Sequence, residues 1–209
     1  MATDDAALLD AWRAGQTEAG QALLARHFSR LYMFFANKIS GDPSDLVQRT
    51  MLGCVEGRDR VRDGSSFAAY LLRVARNQLY IHYKGRMAEQ RRGASDASVA
   101  DLSPTPSTLL VGKREQRRLL HALRHIPLEL QIILELFYWE EMTMAEMSDV
   151  LGVPVGTAKS RLRRAREALA ERLERDEAES LRKTTMDDVD RWAKSIRAEL
   201  AAQRGGAST

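Results

Sequence analysis

From Thr157 to Arg166 the chain carries five cations, Lys159, Arg161, Arg163, Arg164 and Arg166, and no acid. Acidic residues return only at Glu167, Glu171 and Glu174. Ala158 and Leu162 stand four apart within the run, a spacing that turns both toward a neighbouring helix and leaves Lys159, Ser160, Arg163 and Arg164 on other faces. A basic helix with a small-residue N-terminal half suits a polyanion. Its free N–H groups and dipole favour phosphate, and its cations neutralise the nucleic-acid backbone or reach guanine edges in a major groove. The competing account is a solvated charged face, which leaves unexplained why the cations gather at the N-terminal end of this helix.

A second basic stretch holds Arg73, Arg76, Lys84, Arg86, Arg91, Arg92 and His82, opposed only by Glu89. Tyr70, Asn77, Tyr80 and Tyr83 are interleaved with it. Cations for phosphates together with aromatic and amide groups for bases suit single-stranded or melted DNA. Tyr70 and Tyr83 also fit a packing role.

Bond-making chemistry finds no support. His121 and His125 stand four apart, but no cysteine or nearby acid completes a metal site. No Gly-rich phosphate loop is present. Cys54, the only cysteine, lies in an apolar run and reads as a buried, inert thiol. The expectation is a protein that is not an enzyme and needs no cofactor or metal.

The elements that position these groups are helical. Leu8, Leu9 and Trp12 form a first apolar stripe. Thr17-Glu18 opens a helix with Leu23, Leu24, His27, Leu31, Phe34 and Phe35 at spacings of three and four. Gly41 to Ser44 is a turn, with Ser44 expected to cap a helix from Asp45. Leu46, Val47, Thr50, Met51, Cys54 and Val55 follow as its buried side. After a break at Asp63 to Ser66, Ser66 opens the helix carrying Phe67 to Tyr83. Gly93 to Thr108 is rich in Ala, Ser, Asp and Pro and reads as a linker. Beyond it lie a helix through Leu119, Leu120 and Leu123, a break at Ile126-Pro127, and an apolar helix from Leu130 to Trp139. Thr143 and Glu146 fit a capping box, Gly152 a left-handed cap, and a long helix runs from about Val155 to Arg175. A short capped helix, a Gly turn and a second basic helix make a helix-turn-helix pattern.

With 44% apolar but only 6% aromatic residues, the cores are expected to be aliphatic and helical. The fold expected is all-α: two small helical domains joined by a flexible linker, followed by a C-terminal amphipathic helix. The domains are expected at 1–92 and 113–175, the linker at 93–112 and the extension at 176–209. In the extension Thr185 precedes Met186-Asp187-Asp188, and Val189, Trp192, Ala193, Ile196 and Leu200 form one apolar stripe. A helix of about 16 residues is marginal alone, so the stripe is expected to pack on the second domain, dock reversibly on a functional surface, or meet an outside partner. The start holds Asp4 and Asp5 rather than a basic segment and an apolar run. No apolar stretch approaches the ~20 residues that span a bilayer. A cytoplasmic protein without membrane insertion is expected.

Three motifs in order resemble the extracytoplasmic-function (ECF) sigma factors of bacterial RNA polymerase, over roughly 6 to 92 and 107 to 172. Asp45-Leu46-Val47-Gln48-Arg49-Thr50 resembles the family's polymerase-binding helix, Phe67 to Asn77 its −10-element helix, and Pro154 to Arg161 its −35-reading helix. The resemblance implies a sigma-2 helical bundle and a sigma-4 helix-turn-helix domain, with core RNA polymerase and promoter DNA as partners. Asp45, Gln48, Arg49 and Leu52 would contact polymerase. Arg73, Arg76, Asn77, Tyr80, Lys84 and Arg86 would hold the −10 region. Thr157, Lys159, Ser160, Arg163 and Arg164 would read the −35 duplex. The loop from about Glu56 to Ser66 would help capture a flipped base, and the linker would thread toward the active centre and RNA exit path. An anti-sigma partner is compatible with the resemblance. Arg49 stands where an acid is usual, Cys54-Val55-Glu56 where an aromatic is common, Tyr70 where Trp is common, and Tyr80 and His82 where small and acidic residues are usual. These departures bear on −10 preference more than on fold. The alternative is a helix-turn-helix regulator that does not replace the sigma subunit, which accounts for the second domain but not for the Asp45 helix or the Arg73–Arg86 stretch.

Overall fold

A computed structural model of the chain describes residues 4–61, 66–92 and 114–176, together with Asp190, Arg191, Lys194 and Ala198. The described residues form helices and turns, with no strand among them. The chain divides into two compact units, Met1–Leu102 and Ser103–Thr209. The linker expected at 93–112 lies outside the described residues, as does the apolar stripe of Val189, Trp192, Ala193, Ile196 and Leu200.

The first unit is built from α1 (Asp5–Arg13), α2 (Thr17–Ala36), α3 (Ser44–Glu56), a short 3-10 turn (Arg58–Arg60) and α4 (Phe67–Arg92). Leu9 and Trp12 of α1, Leu23, Leu31 and Phe35 of α2, Leu46, Val47 and Cys54 of α3, and Leu71, Leu72, Ala75 and Leu79 of α4 make its core. Gly20 lets α1 and α2 close: a Cβ there would fall on the Trp12 indole. The turn before α3 differs from expectation. The helix starts at Ser44 itself, and no side chain caps it. Ser44 instead donates its N–H and its hydroxyl to Asp42 Oδ1, at 3.0 and 2.7 Å. Asp42, two residues back, offers a carboxylate that outcompetes the serine hydroxyl for the local donors. Ser66 does cap α4, accepting from the Ala69 N–H at 3.1 Å.

The second unit is built from α5 (Arg114–Arg124), α6 (Leu128–Tyr138), α7 (Met144–Leu151) and α8 (Val155–Asp176). Both expected caps of the helix-turn-helix are present. Thr143 Oγ1 accepts from the Glu146 N–H, and Glu146 accepts from the Thr143 N–H at 2.9 Å. Gly152 takes a left-handed conformation, φ +64, which an L-residue adopts only at a cost. Ser148 ties the turn further by donating to the Val153 carbonyl at 2.5 Å. At the α5–α6 break the buried Gln131 amide donates to the Ile126 carbonyl at 2.8 Å. Ala158, Leu162, Ala165, Leu169 and Leu173 then form one fully buried stripe along α8.

One buried polar cluster pins α1 to α2. His27, 3% exposed, donates through Nε2 to Asp5 Oδ2 at 2.7 Å and accepts at Nδ1 from Arg30 at 2.6 Å. Burial, then the neighbouring Arg30 charge, hold the imidazole below its ordinary 6.5. Burial raises the Asp5 carboxyl, but hydrogen bonds from Arg26 and His27 outweigh it and leave a net lowering. The signs follow. The unfolded chain takes up the His27 proton first as pH falls through 6.5, so this contribution to stability is complete above that value and is lost below it. The Asp5 contribution persists above 3.8 and is lost only at lower pH. Thermal unfolding followed between about pH 7.5 and pH 5 is therefore expected to show a falling midpoint, and His27→Gln is expected to flatten that slope. An unchanged slope in the variant would assign the effect elsewhere.

Candidate nucleic-acid and polymerase faces

The buried stripe of α8 fixes which residues look outward. Lys159, Ser160, Arg163 and Arg164 are all exposed, and Thr157 is half-buried at the helix start. The five residues expected at a −35 site thus share the N-terminal half of one helix, held by the capped α7 and the Gly152 turn. Their surroundings differ. Ser160 donates to the Thr157 carbonyl at 3.0 Å, and Arg163 pairs with Glu167 at 2.8 Å one turn on. Such an exposed pair is weak.

Two cations of the same run serve the fold instead. Arg161 is turned inward, its side chain 14% exposed, and meets Glu129 of α6 at 3.5 Å. Arg166 lies over the Phe137 and Tyr138 rings, 4.7 and 5.5 Å from their centroids. Neither role has a signal in the sequence, where both residues belong to one cationic run. Tyr138 also donates its hydroxyl to Asp190. Burial, then the Asp190 hydrogen bond, push the Tyr138 phenol up to about 12.

On α4 the polar and cationic residues are mostly accessible. Arg73, Asn77 and Lys84 are exposed, while Arg76, Tyr80 and Arg86 are half-buried. Arg76 stacks on the Tyr80 ring at 4.9 Å, so this pair presents a flat cationic surface. The other two tyrosines serve the fold. The Tyr83 hydroxyl donates to the Lys38 carbonyl, and the Tyr70 hydroxyl donates to the Gly57 carbonyl at 3.0 Å. Gly57 is required for that contact, because a Cβ would fall on the Tyr70 hydroxyl. From the opposite side Arg13 of α1 reaches the Arg58 carbonyl at 3.5 Å and the Val61 carbonyl. The start of the loop expected to take a flipped base is thereby held from α1 and from α4. Positions 62–65 of that loop lie outside the described residues.

On α3 the four residues expected at a polymerase face, Asp45, Gln48, Arg49 and Leu52, are exposed together at spacings of three, four and seven. Arg49 pairs with Asp45 at 3.0 Å. Leu52 is 58% exposed. Val55, expected on the buried side, is 39% exposed because it lies at the last turn of α3 beyond the packed stripe. Both are apolar groups left facing water beside the charged pair. Such a mixed surface fits a partner with its own apolar and charged groups. Cys54 is buried on the other side, and burial pushes its thiol up to about 12, leaving it protonated and unreactive at neutral pH. His121 and His125 are exposed, with His125 Nδ1 donating to the His121 carbonyl at 2.7 Å. Among the described residues no group of three or more His, Cys, Asp or Glu is placed to hold a metal ion, and no helix is long and apolar enough to cross a membrane.

The split of the cationic run yields a direct expectation. Arg164→Ala is expected to weaken binding to duplex DNA of any sequence and to reduce the salt slope by about one. Arg161→Ala is expected to leave the salt slope unchanged and to cost about 1 kcal/mol of stability through lost packing and the Glu129 pair. Equal loss of salt slope in both variants would contradict this division.

Both units match known families. Residues 24–88 match the family described as Sigma-70 region 2, and residues 116–169 match that described as Sigma-70, region 4. The chain is 32% identical over 166 residues to the ECF RNA polymerase sigma factor SigF of Caulobacter vibrioides, covering 77% of this chain and 89% of that protein. It is 24% identical over 176 residues to the ECF RNA polymerase sigma-E factor of Escherichia coli K12, covering 79% and 92%. Among solved structures, the fold resembles the sigma factor RpoE in complex with the anti-sigma factor NepR from Bartonella quintana, with TM-score 0.55, 24% identity and coverage of 73% and 93%. It also resembles CnrH in complex with the cytosolic domain of CnrY, with TM-score 0.59, 23% identity and coverage of 82% and 98%. With a region 2 unit, a region 4 unit and a relative of this identity over most of both chains, the protein belongs to the ECF RNA polymerase sigma factor family.

Proposed function

We propose that this chain directs core RNA polymerase to promoters through three faces on two units. The exposed face of α3, with Asp45, Gln48, Arg49 and Leu52, binds the polymerase. The accessible face of α4, with Arg73, Arg76, Asn77, Tyr80, Lys84 and Arg86, holds the −10 region as it opens. The exposed face of α8, with Thr157, Lys159, Ser160, Arg163 and Arg164, reads the −35 duplex. The unit within 1–92 does the first two tasks and that within 113–175 the third. The protein performs no bond chemistry: its contribution is recognition, and it works in the cytoplasm where polymerase meets DNA.

The observation that carries this reading is the presence of both the α3 face and the α8 face in one chain. A helix-turn-helix regulator that leaves the sigma subunit in place needs only α8. It gives no reason for an exposed Leu52 beside the Asp45–Arg49 pair. The same apolar exposure at Leu52 and Val55 makes the α3 face the natural target of an anti-sigma protein, which would compete with polymerase there.

The α3 and α8 faces are expected to fail independently, because they lie on different units. Asp45→Lys combined with Gln48→Ala and Leu52→Ala is expected to lower affinity for core polymerase at least tenfold, the effect of about 1.4 kcal/mol. The full-length variant should still bind duplex DNA as the parent does. Parental affinity for core polymerase in this triple variant would remove α3 as the docking face.

A further inference from the structure

The extension after α8 meets the DNA-reading helix. A cleft of about 460 Å³ in the second unit is lined by Met144 of α7, by Lys159, Arg163, Arg166 and Glu167 of α8 with Leu162 and Ala170 between them, and by Asp190. Glu167 already pairs with Arg163 at 2.8 Å, so Asp190 is a second carboxylate in the cleft. Asp190 is held there by the Tyr138 hydroxyl, which donates to its Oδ1. Tyr138 is itself fixed, 7% exposed and covered by the Arg166 guanidinium. Asp190, Arg191, Lys194 and Ala198 are helical; the last three are exposed, while Asp190 is half-buried and lines the cleft.

The charge arrangement gives this contact a consequence. Lys159 and Arg163 are exposed cations on the helix assigned to the −35 duplex. Apolar groups at Met144 and Leu162 flank these charges in the cleft. A carboxylate in this position offers what a DNA phosphate would offer: an anionic oxygen for the same cations. Because Asp190 is on the same chain, it competes at an effective concentration on the order of millimolar. We infer that this cleft is the docking surface of the chain's own C-terminal segment, and that Asp190 seated there screens Lys159 and Arg163 and restrains DNA binding by α8. The inference rests on the reading of α8 as the DNA face, and the restraint would be released when the segment leaves the cleft.

Phosphate competition is independent of sequence, so a short fluorescent duplex of arbitrary sequence is a sufficient probe. Its anisotropy would be followed over a series of salt concentrations with the full-length protein. Asp190→Asn, which keeps shape and removes the charge, is expected to bind several-fold tighter, with a salt slope steeper by roughly one. Its melting temperature should match the parent. Tyr138→Phe removes the anchor and is expected to shift affinity in the same direction. Lys159→Ala with Arg163→Ala is expected to weaken binding and to abolish the gain from Asp190→Asn when the changes are combined. If Asp190→Asn bound no tighter than the parent, or kept its gain without the two cations, the restraint would be refuted while the α8 reading stood. If the Lys159→Ala, Arg163→Ala variant bound DNA with the parental slope, the α8 reading would fall and the inference with it. A lowered melting temperature together with weaker binding in Asp190→Asn would make the contact a packing brace and overturn the restraint.

Discussion

The apolar stripe Ala158, Leu162, Ala165, Leu169 and Leu173 on α8 is the constraint on which the second unit depends. A recognition helix must stay rigid while it turns a dense set of like charges toward solvent. Self-repulsion among those cations disfavours the helix, and a charged helix of this kind gains little from propensity alone. Burying one full side offsets that. Truncating a buried leucine such as Leu162 or Leu169 to alanine would cost about 2–5 kcal/mol, an appreciable part of a small domain's stability. The small alanines at 158 and 165 let α8 sit close to its neighbours. The capping box at Thr143 fixes the start of α7, and the left-handed Gly152 ends α7 and opens the turn to α8. The exposed cationic face is therefore a by-product of packing: the cations face outward because the aliphatic side is buried.

The first unit applies the same rule to two helices. Its core draws Leu46, Val47 and Cys54 inward from α3 and Leu71, Leu72, Ala75 and Leu79 inward from α4. What remains outside on α3 is a short charged and apolar face, and on α4 a longer basic and aromatic one. The start of the loop between them is fixed by hydrogen bonds to backbone, from Tyr70 to the Gly57 carbonyl and from Arg13 to the Arg58 and Val61 carbonyls. The Gly57 and Arg58 carbonyls already accept from the Arg60 and Val61 N–H groups of the 3-10 turn, so each side chain adds a second bond to a carbonyl with two lone pairs. They also explain how Tyr70 can stand where the family commonly has Trp: its hydroxyl supplies a tether that an indole at that place would have to make differently.

The helices, both helix-turn-helix caps and the three exposed faces were legible because their causes are local. Periodicity of three and four shows which side of a helix is buried, and Thr143, Glu146 and Gly152 act within a few residues of themselves. Where two local acceptors compete, as Asp42 and Ser44 do before α3, the sequence does not decide between them. Contacts between residues distant along the chain left no trace. Arg161 looks like its cationic neighbours until Glu129, on another helix, is brought beside it. Arg13, His27 and Asp190 likewise take their roles from partners 22 to 52 positions away. Long-range pairing is what folding adds to the pattern. It turned one uniform basic run into two residues that hold the fold and a set that faces outward.

The central claim is that this one chain confers promoter-specific initiation on core polymerase. It is tested most directly by single-round run-off transcription with purified full-length protein, core polymerase lacking any other sigma subunit, and a library of linear genomic templates. The account predicts discrete transcripts that require this protein, begin at defined positions, and disappear when Lys159, Ser160, Arg163 and Arg164 are replaced together by alanine. Binding to DNA without any protein-dependent start site, or initiation indifferent to those four residues, would contradict it.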